Sequence, residues 1–221
     1  MAKTIKKLFK SIHRRQDENK QKSYEPLTIV ENISVAEFIH TYEEAKIPVI
    51  IRNFALNWPA FAKWNRDFIT KALSLEDGDL NFYRRYLRFF PTLDAIEEES
   101  NPHSLADGDY LTDITIKDYP ALLDDYSIPA FFAGATDQPE KNQWIFLGPP
   151  SSKTKVHVDI PGYHAWNVSI YGSKYWWFFP DRDRVLAAVA QPGDIVFTPE
   201  GMYHAVVNLE ETLSVTHNYR R

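Results

Sequence analysis

The 221-residue chain contains no cysteine. That excludes disulfides, thiol nucleophiles, zinc ribbons and iron–sulfur clusters, and it is compatible with a reducing compartment. No apolar run approaches the roughly 18 residues that span a bilayer. No secretory apolar segment precedes a small-residue cleavage site either. The expectation is a soluble, cytoplasmic protein without a membrane span. Internal repeats and low-complexity tracts are also missing. Aromatic residues, in contrast, are plentiful. Six Trp, twelve Tyr and fourteen Phe within a 44% hydrophobic composition are enough to fill a core, which rules out a wholly disordered chain.

The net charge of −5 conceals an asymmetry. Residues 1–22 carry eight Lys/Arg against Asp17 and Glu18, a net of +6, while the remainder has 17 basic and 28 acidic residues, a net of −11. In the first segment Ile5, Leu8, Phe9 and Ile12 recur at helical spacing. A membrane-surface or nucleic-acid contact is one reading of this basic arm. The favoured one is an arm that packs its apolar stripe on its own domain. No acidic residue precedes Asp17, as in an organelle transit peptide, but serine is too scarce to support that reading. The acidic body suits a basic substrate better than bare nucleic acid. We divide the chain into an arm, 1–22, and one domain, 23–221, a length that barrels commonly fill undivided.

The first third of the domain reads as mixed. Ser34 with Glu37 forms a capping box for a helix to about Ala45. A short buried strand follows at 48–51, then a helix over 61–73. Residues 80–90 alternate as a strand does, 97–113 is acidic and punctuated by Gly and Pro, and Asp118 opens a short helix to Tyr126. From 143 the pattern is nearly all β: 143–147, 155–160, 165–171, 174–179, 194–198, 204–208 and 213–219, with turns at Gly172-Ser173 and Pro192-Gly193. The fold class is mainly β with a helical N-terminal part and a jelly-roll or cupin core.

The chemistry concentrates in KVHVDIPGYHAWNVSIYGSKYWWFFP, residues 155–180. On a strand over 155–160, His157 and Asp159 share a face. His204, following PGD and a P-x-G turn, supplies a third group from a distant strand. Two imidazoles and a carboxylate make the facial triad of non-haem Fe(II) oxygenases, which leaves three adjacent positions open on an octahedral ion. Two of those can take a bidentate 2-oxo acid and the third O2. Lys174 would hold the far carboxylate of a dicarboxylate cosubstrate as a point charge. Asn167, Thr216 and Tyr110 would complete its hydrogen bonding. His-x-Asp alone is more often incidental than ligating, and its pairing with His204 reverses the balance. His217 neighbours Thr216 and so faces the other way. His164 is the substitute ligand, and His13, His40 and His103 read as surface residues.

HVDIPGYHAWNVSIYGSKYWWFFP and QPGDIVFTPEGMYHAVVNLEETLSVTHNY resemble the Jumonji-C (cupin-like) 2-oxoglutarate oxygenases. The branch they match best contains the bifunctional arginine demethylase and lysyl hydroxylase. The likeness runs upstream through ISVAEFIHTYEEAKIPVIIRNFALNW, LLDDYSIPAFF and WIFLGPP, and covers roughly residues 33–219. It implies a double-stranded β-helix core with Fe(II) at His157, Asp159 and His204. It also implies 2-oxoglutarate as cosubstrate, held by Lys174 with Asn167, Thr216 and, through a loop, Tyr110. Thr154 would line the pocket, and Asn218 would lie near the metal. The implied reaction is hydroxylation of a C–H bond on a protein lysyl or arginyl side chain. The alternatives are hydroxylation of a modified RNA base, through the basic arm, and a non-redox cupin isomerase or binding module. Chains of the family usually continue into helices that build a dimer interface, whereas this sequence stops at Arg221. A monomer or weak dimer is the expectation.

Overall fold

The structure, a computed structural model, describes residues 23–73, 112–116, 119–137 and 142–221. The basic arm, the strand expected over 80–90, most of the acidic stretch 97–113, Tyr110 and Asp118 lie outside the described residues.

In the N-terminal part, β1 (Ser23–Pro26), β2 (Ile29–Val30) and β3 (Val49–Ile51) flank a helix. That helix, α1 (Val35–Phe38), is capped by Ser34, whose Oγ accepts from the Glu37 backbone N–H at 3.1 Å. It then loosens into a π-helical turn over Ile39–Glu43. The single helix expected over 61–73 is two, α2 (Ala60–Lys63) and α3 (Arg66–Ala72). Trp64 turns to extended backbone, and Asn65 caps α3 by accepting from the Phe68 N–H at 2.9 Å. The chain returns as β4 (Thr112–Thr115), which begins in the last two residues of the acidic stretch, and a 3-10 turn over Pro120–Asp125.

The remaining strands are β5 (Gln143–Gly148), β6 (Lys153–His157), β7 (His164–Tyr171), β8 (Lys174–Phe179), β9 (Arg184–Ala190), β10 (Ile195–Thr198), β11 (Tyr203–Asn208) and β12 (Thr212–Tyr219). One sheet runs β1-β9-β8-β11-β6 and the other β2-β3-β10-β7-β12-β5-β4. Successive strands therefore cross between two facing sheets, β5 in the larger, β6 in the smaller, β7 in the larger again. This is the double-stranded β-helix. The hairpin between β7 and β8 requires Gly172: its φ is +74°, and a Cβ there would sit 2.0 Å from the Glu211 carbonyl oxygen.

β9 did not stand out in the sequence because RVLAAVA does not alternate. Both of its faces are buried, with Val185, Ala187 and Val189 in one cluster and Ala188 and Ala190 in another. The larger sheet packs its outer face on the N-terminal helices. There Trp166 stacks on Phe132 at 5.6 Å and meets Trp58 edge-on at 6.3 Å. The inner faces of the two sheets enclose the polar residues described next.

Candidate metal centre

β6 ends at His157, so Asp159 does not sit on a strand. The reading of His157 and Asp159 as same-face neighbours on one strand is corrected accordingly. The two meet because the chain leaves the strand and bends back through the turn at residues 160–162. His157 is paired directly opposite His204 on β11, and the ladder slips beyond that rung, so that Val206 pairs with Thr154. The slip inserts one extra residue in β6 between Thr154 and His157. In a regular strand two residues three apart face opposite ways; the bulge lets both line the same cavity.

One nitrogen from each imidazole and one Asp159 oxygen all lie within 4.8 Å of one another. Asp159 Oδ1 is 3.5 Å from His157 Nε2 and 3.9 Å from His204 Nε2. The other ring nitrogen of each histidine is tied off. His157 Nδ1 donates to the Lys155 carbonyl at 2.8 Å, and His204 Nδ1 to the Met202 carbonyl at 3.0 Å. A carbonyl only accepts, so each ring carries its proton on Nδ1 and turns an Nε2 lone pair toward Asp159. Metal-binding histidines are oriented in this manner. Burial pushes the His204 pKa down and keeps the ring neutral, with Asp159 acting against it. Burial also raises the Asp159 pKa, but in the metal-free site the charge of His204 and His157 when protonated, the His157 contact and Asn218 together outweigh it and lower it. Two imidazole Nε2 atoms and a carboxylate are the donor set that a divalent first-row metal needs.

A cavity of about 120 Å³ opens from this cluster between the sheets, far above the roughly 10–15 Å³ that one water needs. Register explains how it is lined. Along the β8–β11 pair, Phe178 faces His204, Trp176 faces Val206 and Lys174 faces Asn208. The triad therefore lies at one end and the Lys174 ammonium at the other. Lys174 is 2% exposed and donates to Asn208 Oδ1 at 2.8 Å. Asn208 in turn donates to Ser152 Oγ at 2.6 Å, and Ser152 to the Pro149 carbonyl at 2.7 Å. Burial pushes the Lys174 pKa down to about 7, so an incoming carboxylate would find a cation that gains from being paired.

From the opposing sheet, Asn167 and Thr216 are cross-strand neighbours, and Asn167 Nδ2 donates to Thr216 Oγ1 at 2.6 Å. Asn167 Oδ1 is left buried without a partner among the described residues. Asn218 is buried behind Asp159 rather than in the cavity wall. Tyr110 lies outside the described residues. Phe146, Thr198 and Trp176 also line the cavity, and the sequence reading missed them. The signal for Trp176 was present: it lies two residues after Lys174 on one strand, hence on the same face.

The other described histidines are engaged elsewhere, and His13 and His103 lie outside the described residues. His164 Nδ1 accepts from the Glu200 backbone N–H at 3.1 Å, between the rings of Phe197 and Tyr219. His217 is buried on the outer face against Trp166, with its Nε2 2.9 Å from the Tyr126 hydroxyl. His40 is exposed beside Glu44.

Comparison with known proteins agrees with this geometry. The family model of the JmjC domain, described as a hydroxylase, matches residues 181–219, which run from just before β9 to the end of β12. The arginine-specific demethylase JMJ22 of Arabidopsis thaliana is 28% identical over 87% of this chain and 46% of its own length. The bifunctional arginine demethylase and lysyl-hydroxylase psr-1 of Caenorhabditis elegans is 27% identical over 85% of this chain and 59% of its own. The 2-oxoglutarate and iron-dependent oxygenase JMJD4 of Danio rerio is 25% identical over 42% of this chain and 32% of its own. The chain thus spans about half the length of the first two relatives. Among the described residues no helix is long and apolar enough to cross a membrane.

Proposed function

We propose that this protein is an Fe(II)- and 2-oxoglutarate-dependent oxygenase that hydroxylates a C–H bond on a protein lysyl or arginyl side chain. The observation that carries the reading is the pair of imidazoles whose Nδ1 protons are committed to backbone carbonyls, which turns both Nε2 atoms on Asp159. Fe(II), with 2-oxoglutarate and O2, supplies the oxidising chemistry that side chains lack.

The chain's own residues supply the rest. His157, Asp159 and His204 would hold the metal, with Asp159 offsetting one unit of its charge. Lys174 would take the far carboxylate of 2-oxoglutarate, and the Asn208–Ser152 chain holds its head in place. Asn167, Thr216 and Thr154 would present hydrogen-bonding groups along the acid. Enclosure between two sheets shields the Lys174 and His204 side of the cavity from bulk water and strengthens charge interactions there, while His157 and Asp159 stay partly open to solvent. The names of the relatives, demethylase and lysyl-hydroxylase, support a basic protein side chain as substrate. The acidic balance of residues 23–221 favours the same class.

The test is oxygen-dependent conversion of 2-oxoglutarate to succinate by the iron-loaded protein, with and without lysine- and arginine-rich peptides. Faster succinate release with a peptide that gains one oxygen atom from O2 supports the reading. Peptide-independent release with every peptide left unmodified would remove the substrate class. Absence of any succinate from folded, iron-loaded protein would remove the activity.

A further inference from the structure

The β7–β10 ladder ends on the rung that pairs Ala165 with Thr198. The next residue along β10 is Pro199, which has no N–H and cannot extend the ladder. The chain turns instead over 199–202, closed by the Met202 N–H on the Pro199 carbonyl at 3.2 Å. Gly201 takes the positive φ, +73°, that the third position of a type II turn requires. This turn leaves the Glu200 N–H unused, and His164, the first residue of β7, takes it: Nδ1 accepts at 3.1 Å. A side chain thus makes the bond that the backbone cannot. Its ring is set between Phe197, at 5.6 Å, and Tyr219, at 5.4 Å. The same turn carries the Met202 carbonyl, which accepts the His204 Nδ1 proton at 3.0 Å. A continuous path therefore runs from His164 through the turn to one of the three grouped ligands. A second contact leads towards another, since Asn218 Nδ2 is 3.5 Å from the His164 carbonyl oxygen and Asn218 hydrogen-bonds the Asp159 carboxylate.

We propose that His164 is a positioning residue of the metal centre: by accepting the Glu200 N–H it fixes the turn whose Met202 carbonyl holds the His204 ring. This inference rests on the metal half of the reading above and deepens it. A metal-binding imidazole is oriented by the acceptor on its other nitrogen, so a turn released from His164 would let the His204 Nε2 swing off the metal. From its sequence position His164 reads as a spare ligand. Its Nδ1 is instead spent on a backbone N–H, which makes it a holder of ligands and not one of them.

Co(II) provides the test, because the ring N–H protons of histidines bound to it appear as strongly shifted, separately resolved NMR resonances. His164→Phe keeps a ring between Phe197 and Tyr219 but offers no acceptor, and His164→Asn places an amide oxygen near the position of Nδ1. Co(II) titrations and proton spectra of wild type and both variants are compared, with circular dichroism to check the fold. His164→Phe should bind Co(II) about tenfold more weakly. The slower-exchanging ring N–H, that of the buried His204, should exchange faster with solvent. His164→Asn should recover most of both. If His164→Phe does not fold, His164→Leu takes its place. Wild-type affinity and exchange in the variant without an acceptor overturn this inference and leave the metal reading intact. Equal losses in that variant and in His164→Asn overturn it as well, because the acceptor would not then be what matters. Wild-type protein that binds no Co(II) overturns both.

Discussion

Lys174→Met should make the ligand-free protein more stable, although it removes a buried hydrogen-bonding group. Lys174 is almost fully buried, and burial pushes its pKa from 10.5 down to about 7. Each pKa unit corresponds to about 1.4 kcal/mol, so keeping the ammonium charged inside the fold costs on the order of 5 kcal/mol. Because the folded pKa lies below the unfolded one, the unfolded chain holds the extra proton between about pH 7 and 10.5. Stability therefore rises with pH across that window, and the penalty is complete below pH 7. Methionine keeps the unbranched stem and drops the charge. Against the gain stands the loss of the bond to Asn208 Oδ1, which leaves a buried acceptor and costs about 1–3 kcal/mol. The net at pH 7 is a stabilisation of roughly 2 kcal/mol, about 4–8 °C in Tm for a chain of this size. Thermal unfolding of metal-free wild type and K174M from pH 6 to 9.5 measures it. The gap should be widest at the acid end and narrow as the pH rises. Added to the metal-loaded protein, 2-oxoglutarate should raise the wild-type Tm more than that of K174M. A variant that is less stable at pH 7, or a gap independent of pH, would refute the reasoning.

Three further predictions concern other parts of the molecule. Asp159→Asn or His204→Ala should weaken Fe(II) binding by more than the roughly hundredfold that a lost outer partner costs, read by metal titration, while the circular dichroism spectrum stays that of wild type. His217 is held neutral by burial, which pushes its pKa down to about 3, so the unfolded state binds the extra proton between about pH 6.5 and 3 and stability falls on acidification. His217→Phe should flatten that part of the stability–pH curve, and an unchanged acid limb would contradict the assignment. Gly172→Ala meets both the +74° φ and the Glu211 carbonyl. It should lower stability by about 3 kcal/mol or more, seen as loss of soluble protein or a large fall in Tm.

The barrel strands were legible wherever one face is polar and the other apolar. β7, with Asn167 between apolar neighbours, and β12, with Thr216 and Asn218 beside Val215 and Tyr219, carry their orientation in their alternation. β9 was hidden by burial on both faces. β1 and β2 were hidden because short strands paired in parallel have little pattern of their own. The residue types of the candidate centre were readable from His-x-Asp, the distal His204 and the lysine after the hairpin. Their convergence was not readable for the reason first given. Alternation would place His157 and Asp159 together on one strand, whereas the structure uses a bulge before His157 and a turn after it. A bulge has no reliable sequence mark, since it depends on which partner residue the ladder selects. Trp176 escaped notice because an aromatic in a run such as KYWWFFP reads as core. The tie from Asn208 to Lys174 spans 34 residues and follows from register alone.

The central claim is that one cavity holds a metal at the His157–Asp159–His204 end and a dicarboxylate's far carboxylate at the Lys174 end. The most direct measurement is the visible absorption of anaerobic protein given Fe(II) and then 2-oxoglutarate. The account predicts a charge-transfer band from the chelate that is lost in His157→Ala and weakened in Lys174→Ala. Folded, iron-loaded wild-type protein that shows no band at saturating 2-oxoglutarate would contradict it.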